Sequence, residues 1–187
     1  MKIQRVFAVV MLISAFTTGV SLFAQGKLDP VRLNSVTLGF NVGAGAQYFG
    51  NGAGVGPAFK GYFEKGMWDL GPGVITLGGE FDFSLFSHRF GNDWHEGWAN
   101  FFFAARGAYH YGWNVEGLDT YAGMPAGFGF AIHSFDDHPG AKGYQALFPY
   151  FGFFMGASYF FNDTFGVNGE VGYNATHANL GVVLRIK

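Results

Sequence analysis

The sequence predicts an all-β fold, an eight-stranded antiparallel up-and-down transmembrane β-barrel, from three observations. Apolar and polar residues alternate in eight separate segments, and a period of two is typical of β-strands. Charged residues make up 13% of the chain, against about 25% in a typical globular protein. The chain also contains 31 glycines and 24 phenylalanines, so its surface suits lipid better than water.

The N-terminal segment has the pattern of a cleaved signal peptide. Two basic residues, Lys2 and Arg5, come before an apolar stretch at positions 6–16. This stretch is too short to span a membrane as a helix. We expect cleavage after Ala24, with Ser21 as the alternative site. The predicted organisation is a signal peptide, residues 1–24, followed by one barrel domain, residues 25–187. The acidic net charge gives no basic patch for nucleic acid, and without cysteine no disulfide framework is possible.

Each of the eight segments combines an apolar face with a face of polar or small residues. The third segment is the clearest, because Phe81 and Phe83 alternate with Glu80 and Asp82. The register of the fifth segment is ambiguous, and we favour the face that contains Met124 as the apolar one. In chain order the segments cover residues 36–45, 59–64, 74–86, 99–110, 118–132, 150–159, 165–171 and 180–186.

The connections between the segments differ in length. Those after the first, third and fifth segments are long, whereas those after the second, fourth and sixth are mostly shorter. Outer-membrane barrels have short periplasmic turns and longer extracellular loops. We therefore expect the longer connections, including residues 87–98 and 133–145, to be extracellular loops.

The width of the barrel decides which face is inside. An eight-stranded barrel has an interior just wide enough for side chains, which rings of phenylalanine would overfill. Phe81 and Phe83 are therefore expected to face lipid, although a secreted lipocalin-type barrel would reverse the two faces. Because buried charges have to be paired, the sequence predicts an ion-pair network inside the barrel. The residues of this lumen network are Lys60, Glu64, Glu80, Asp82, Arg106, Glu170 and Arg185.

The eight segments resemble those of the small outer-membrane β-barrel proteins of the OmpA-barrel and OmpX type. The residue-level likeness is concentrated in positions 156–187, where "GASYFFNDTFGVNGEVGYN" and "ANLGVVLRIK" look like the last hairpins of that superfamily. The resemblance implies a barrel inserted in the lipid of the cell outer membrane.

The predicted role is non-enzymatic, with a rigid barrel that displays loops to an extracellular or envelope partner. No cofactor is expected. A narrow pore or a carrier of small or hydrophobic solutes is one alternative, and a metal or haem site in the loops is another. The latter rests on His88, His95, His133 and His138, because imidazole and nearby carboxylates bind zinc or copper. Ser134 follows His133, but adjacent strand residues point to opposite faces, which argues against a catalytic pair.

Overall fold

The computed structural model describes residues 31–46, 55–90, 94–136 and 145–186. Within these ranges the chain forms eight barrel strands, and no helix there is long and apolar enough to cross a membrane. The signal peptide predicted at residues 1–24 lies outside the described residues. The strands are β1 (Val36–Ala46), β2 (Val55–Leu70), β3 (Gly73–Phe90), β4 (Trp94–Gly112), β5 (Leu118–Asp136), β6 (Gln145–Phe151 and Phe153–Phe160), β7 (Phe165–Tyr173) and β8 (Thr176–Ile186).

The sixth strand has one interruption, at Gly152. This residue lies opposite Pro125 of β5, which has no N–H group to complete the pairing, and the N–H of Gly152 donates to the Pro125 carbonyl at 3.2 Å. The register is the same on both sides of the interruption, since Phe151 pairs with Ala126 and Phe154 with Gly123. The two stretches therefore act as one strand of the barrel.

The sheet is closed, because β1 pairs with both β2 and β8 and β4 pairs with β5. The stagger of the strands can be measured by following each residue to its pairing partner on the next strand. A path that starts at Gly156 on β6 returns to β6 at Ala146, ten residues away. This stagger tilts the strands, so residues at the same height are not direct pairing partners. The predicted eight-stranded antiparallel barrel is confirmed.

The apolar face is on the outside of the barrel. Phe81 and Met124 are 40% and 67% exposed, whereas Glu80 is 5% exposed and Asp82 is fully buried. This exposure confirms the predicted orientation of the third segment and the favoured register of the fifth. The lipocalin-type arrangement, with phenylalanine inside, is wrong.

Both ends of the barrel sheet lie at one rim, which we call the terminal end. The turns between β2 and β3, β4 and β5, and β6 and β7 share this end, and Gly71 in the first of them has a φ of 60°. The opposite rim, where β7 and β8 are joined, is called the hairpin end. A predicted loop at this end, residues 87–98, is mostly strand instead, because β3 and β4 remain paired up to Phe90 and Trp94. Its polar composition indicated a loop, but a strand that has left the lipid can also be polar.

The rim at the hairpin end is uneven. Strands β3, β4 and β5 have 18, 19 and 19 residues, whereas β7 and β8 have 9 and 11. A membrane-spanning strand needs about 9–11 residues. The pairing of β7 with β8 stops at Val171, but β4 and β5 continue to the pair His95 and Asp136. The part of β3–β5 at the hairpin end, residues 87–90, 94–97 and 134–136, is called the strand extension.

Candidate functional site

The lumen contains six of the seven predicted network residues, each at most 5% exposed. Their positions follow from the period of two, since every one of them lies on the inward face of its strand. Strand β2 contributes Lys60 and Glu64, β3 contributes Glu80 and Asp82, β4 contributes Arg106, and β7 contributes Glu170.

Arg106 lies at the centre of the lumen and binds three carboxylates. Its Nη1 donates to Glu80 Oε2 at 2.9 Å and its Nη2 donates to Glu170 Oε2 at 2.7 Å. Its Nε donates to Glu64. The guanidinium group therefore joins strands β2, β3, β4 and β7, and its planar fork of donors suits this arrangement better than an ammonium group would.

Three aromatic rings pack around the same guanidinium group. Its central carbon lies 3.6 Å from the ring centroid of Phe154, 4.4 Å from that of Tyr62 and 5.8 Å from that of Tyr121. The amide of Asn168 donates to both tyrosine hydroxyls, at 3.2 and 3.3 Å. Cation–π contact and burial thus hold the arginine in one geometry. The alternation in the sixth segment places Phe154 on the inward face, but nothing in the sequence predicts a contact between these rings and Arg106.

Lys60 forms the second centre of positive charge. Its Nζ donates to Glu170 Oε1 at 2.6 Å and lies 3.5 Å from Glu80 Oε2 and 3.7 Å from Asp82 Oδ1. Glu170 and Glu80 are therefore shared between the lysine and Arg106. The result is one connected cluster rather than a set of separate pairs.

His110 extends this cluster toward the terminal end. Its Nε2 lies 2.8 Å from Glu64 Oε2, and its Nδ1 lies 2.8 Å from Asp119 Oδ2. The Thr76 hydroxyl donates to the same Glu64 oxygen at 3.1 Å. The alternation in the fourth segment places His110 on the inward face, but its contact with Asp119 depends on the register in which β4 and β5 pair, and the sequence does not predict that register.

Arg185 does not bind the central carboxylates, which corrects the prediction for the seventh residue. It lies at the terminal end, where its Nε donates to the backbone carbonyl of Asp163 at 2.8 Å and its Nη2 lies 3.4 Å from the carboxylate of that residue. Its guanidinium group also packs over Phe160, 4.9 Å from the ring centroid. The residue is one position from the end of β8, next to the turn that contains Asp163.

The lumen is also filled on the hairpin side of the cluster. The Tyr150 hydroxyl donates to Glu80 Oε1 at 3.3 Å and accepts the Ala175 N–H at 2.9 Å. The Tyr150 ring lies 4.9 Å from the buried ring of Phe102, measured between centroids. Polar and aromatic side chains thus occupy the lumen where a channel would have to pass.

The four histidines proposed as metal ligands are placed as follows. His133 is on the inward face of β5, where its ring stacks on Trp98 with the centroids 3.9 Å apart. The backbones of His88 and His95 belong to the strand extension on β3 and β4. His138 lies outside the described residues. In the part of the chain that the structure describes, no group of three or more His, Asp or Glu side chains could hold a metal ion.

Comparison with known proteins gives structural neighbours only. No protein-family model and no curated protein matches the chain. The structure of Ail, the attachment invasion locus protein of Yersinia pestis, in complex with the heparin analogue sucrose octasulfate, is 11% identical, with a TM-score of 0.54, and the match covers 83% of this chain and 100% of that chain. The N-terminal β-barrel domain of Pseudomonas aeruginosa OprF is 16% identical, with a TM-score of 0.45, over 82% and 98% of the two chains. The closed barrel and its likeness to Ail show that this chain has the fold of small outer-membrane β-barrel proteins.

Proposed function

We propose that the protein is an integral outer-membrane barrel that anchors an extracellular binding surface and has no catalytic role. The strand extension supports this proposal best. About nine to eleven residues are enough for a strand to cross the membrane, whereas β3, β4 and β5 have 18, 19 and 19 residues. A paired sheet that leaves the membrane offers a more rigid surface than loops alone. The filled lumen argues against the alternative of a pore or solute carrier.

The proposal orients the terminal end toward the periplasm and the strand extension toward the outside. The chain has no cysteine, so single cysteines report topology directly. Ser87→Cys should react with a membrane-impermeant maleimide in intact cells. Asp163→Cys, whose side chain is 79% exposed at the terminal end, should react only after the outer membrane is permeabilised. The reverse pattern would contradict the proposed orientation.

Insertion in the outer membrane is tested with membrane fractions of the same cells. Protein from an outer-membrane fraction should migrate faster in SDS gels when it is left unboiled, because a closed barrel resists the detergent. A protein that is recovered in the soluble fraction, without a change of mobility on boiling, would refute the membrane assignment.

The charge of the extracellular segments restricts the kind of partner. Residues 87–98 and 133–145 together contain two basic and four acidic residues, besides four histidines. The Ail structure contains an analogue of heparin, a sulfated polyanion, but this charge pattern does not complement a polyanion at neutral pH. We therefore propose a partner with a neutral or cationic contact surface.

The binding role is tested with barrels in lipid nanodiscs. One variant replaces residues 88–96 by an Asn-Gly turn, which keeps the native pair of Ser87 with Gly97, removes most of the β3–β4 part of the strand extension and leaves the lumen unchanged. Binding to envelope or host-surface fractions should require the intact extension. Equal binding by both forms would refute the role of this surface, and retention of the intact form on heparin at neutral pH would refute the restriction on charge.

A further inference from the structure

The described lumen contains more carboxylates than cations. Five buried carboxylates, Glu64, Glu80, Asp82, Asp119 and Glu170, lie with Lys60, Arg106 and His110. His110 has a carboxylate at 2.8 Å from each ring nitrogen, and only the charged imidazolium donates from both nitrogens. With His110 counted as a cation, and with Arg185 acting on Asp119 from the terminal end, one negative charge has no counterpart among these groups. An uncompensated charge inside a barrel in lipid is costly, so the lumen needs additional positive charge.

Asp82 is the carboxylate with the weakest compensation. It is fully buried, and neither of its oxygens accepts a hydrogen bond from any described residue. Its cationic neighbour, the Nζ of Lys60, is 3.7 Å away and is already bound to Glu170. Glu80 also approaches this ammonium group, at 3.5 Å.

The other four carboxylates each accept a hydrogen bond at 2.9 Å or less. Glu64 and Asp119 are bound by His110, at 2.8 Å each. Glu80 is bound by Arg106 at 2.9 Å, and Glu170 by Lys60 at 2.6 Å. The excess negative charge is therefore concentrated at the pair formed by Glu80 and Asp82, which lie two residues apart on the inward face of β3.

We propose that the folded lumen binds one proton at Asp82, so that this residue is a neutral carboxylic acid beside the ionised Glu80. Two adjacent carboxyl groups that compete for one cation favour such a shared proton. The charged and titratable groups around the pair are Lys60 on β2, Arg106 on β4, Tyr150 on β6 and Glu170 on β7. The proton enters from solvent before the barrel closes. It weakens the negative potential that would otherwise draw cations into the lumen, and this inference does not depend on the proposed extracellular partner.

The experiment is infrared spectroscopy of the refolded barrel in lipid vesicles at neutral pH. The wild-type spectrum should contain the C=O stretch of a protonated carboxylic acid, and Asp82→Asn should remove it. Asp119→Asn is the matched control, because it makes the same change in the same lumen at a carboxylate that binds His110. It should keep the band. Labelling the wild type with ¹³C-aspartate should shift the band, which assigns it to an aspartate rather than a glutamate. The band that remains in Asp119→Asn then assigns it to Asp82 even if Asp82→Asn does not fold.

Stability provides a second measurement. Asp82→Asn should change the equilibrium constant for urea unfolding by less than threefold, whereas Asp119→Asn should raise it by at least tenfold. The proposal is overturned if the wild type has no acid band, if the band survives Asp82→Asn, or if the two variants are equally destabilised. A missing band together with sodium-dependent stability that Asp82→Asn abolishes would instead assign a bound cation, and would equally overturn it.

Discussion

Replacing Arg106 by methionine should destabilise the barrel more than any other single change of charge in the lumen. Methionine keeps much of the aliphatic volume that packs on Phe154, but it removes the group that binds Glu64, Glu80 and Glu170. Three carboxylates then lose a charged donor, and the charged groups that still contact them inside the described lumen are Lys60 and His110.

The expected magnitude follows from burial. Removing one partner of a buried ion pair costs about 3–5 kcal/mol, because the remaining charge stays buried without compensation. We therefore expect a loss of about 4 kcal/mol in the free energy of unfolding, which corresponds to about a thousandfold change in the equilibrium constant. Arg185→Met is the matched control. Its partner Asp163 is largely exposed, so the loss should be about 0–1 kcal/mol.

The assay is equilibrium unfolding by urea in lipid vesicles, followed by tryptophan fluorescence and by the fraction of the fast-migrating band in unboiled gels. The reasoning would be refuted if Arg106→Met were within about 1 kcal/mol of the wild type, the range expected of a surface pair. It would also be refuted if Arg185→Met were equally destabilising, because the effect would then not depend on burial.

Three further substitutions test the lipid-facing wall and the packing of the lumen by the same assay. Phe81 lies near the middle of β3 and Phe165 at the start of β7, so Phe81→Arg should cost about 2–4 kcal/mol and Phe165→Arg about 0–1 kcal/mol. Equal costs would contradict the assignment of Phe81 to the middle of the lipid-facing wall. Gly123→Ala should cost about 1–3 kcal/mol, because its β-carbon would overlap a neighbouring strand, whereas Gly61→Ala points into open space and should be neutral; a neutral Gly123→Ala would contradict tight packing. Tyr150→Phe should cost about 1–3 kcal/mol, because the hydroxyl joins a lumen carboxylate to a buried backbone N–H; no loss would mean that neither contact stabilises the barrel.

The sequence was sufficient to predict which face of the third segment is inside, and it left the fifth segment as a choice between two registers. A strand has a period of two, and the narrow interior of an eight-stranded barrel admits only one of the two faces when the other is rich in phenylalanine. Phe81 and Asp82 are adjacent in the chain, and the first was correctly predicted to face outward and the second inward. The same argument placed six network residues on the inward face.

The pairing of charges could not be predicted, because it depends on height along the barrel axis. Arg106 and Glu170 are 64 residues apart in the chain and meet only because the strands are staggered by a particular register. Arg185 is a second residue whose contacts depend on its height along the barrel axis. The alternation placed it on an inward-facing position, but its height at the end of β8 directs it to the turn that contains Asp163.

The aromatic rings inside the lumen fit only because glycines face them. Each ring around Arg106 occupies the space where an inward-facing glycine has no side chain: Tyr62 lies against Gly39, Phe154 against Gly123 and Tyr121 against Gly156. A β-carbon at any of these glycines would overlap the ring and push it toward the guanidinium group. The geometry of the ion pairs therefore depends on residues that carry no charge, which is why a chain with few charges and many glycines can hold a buried charge cluster in a fixed arrangement.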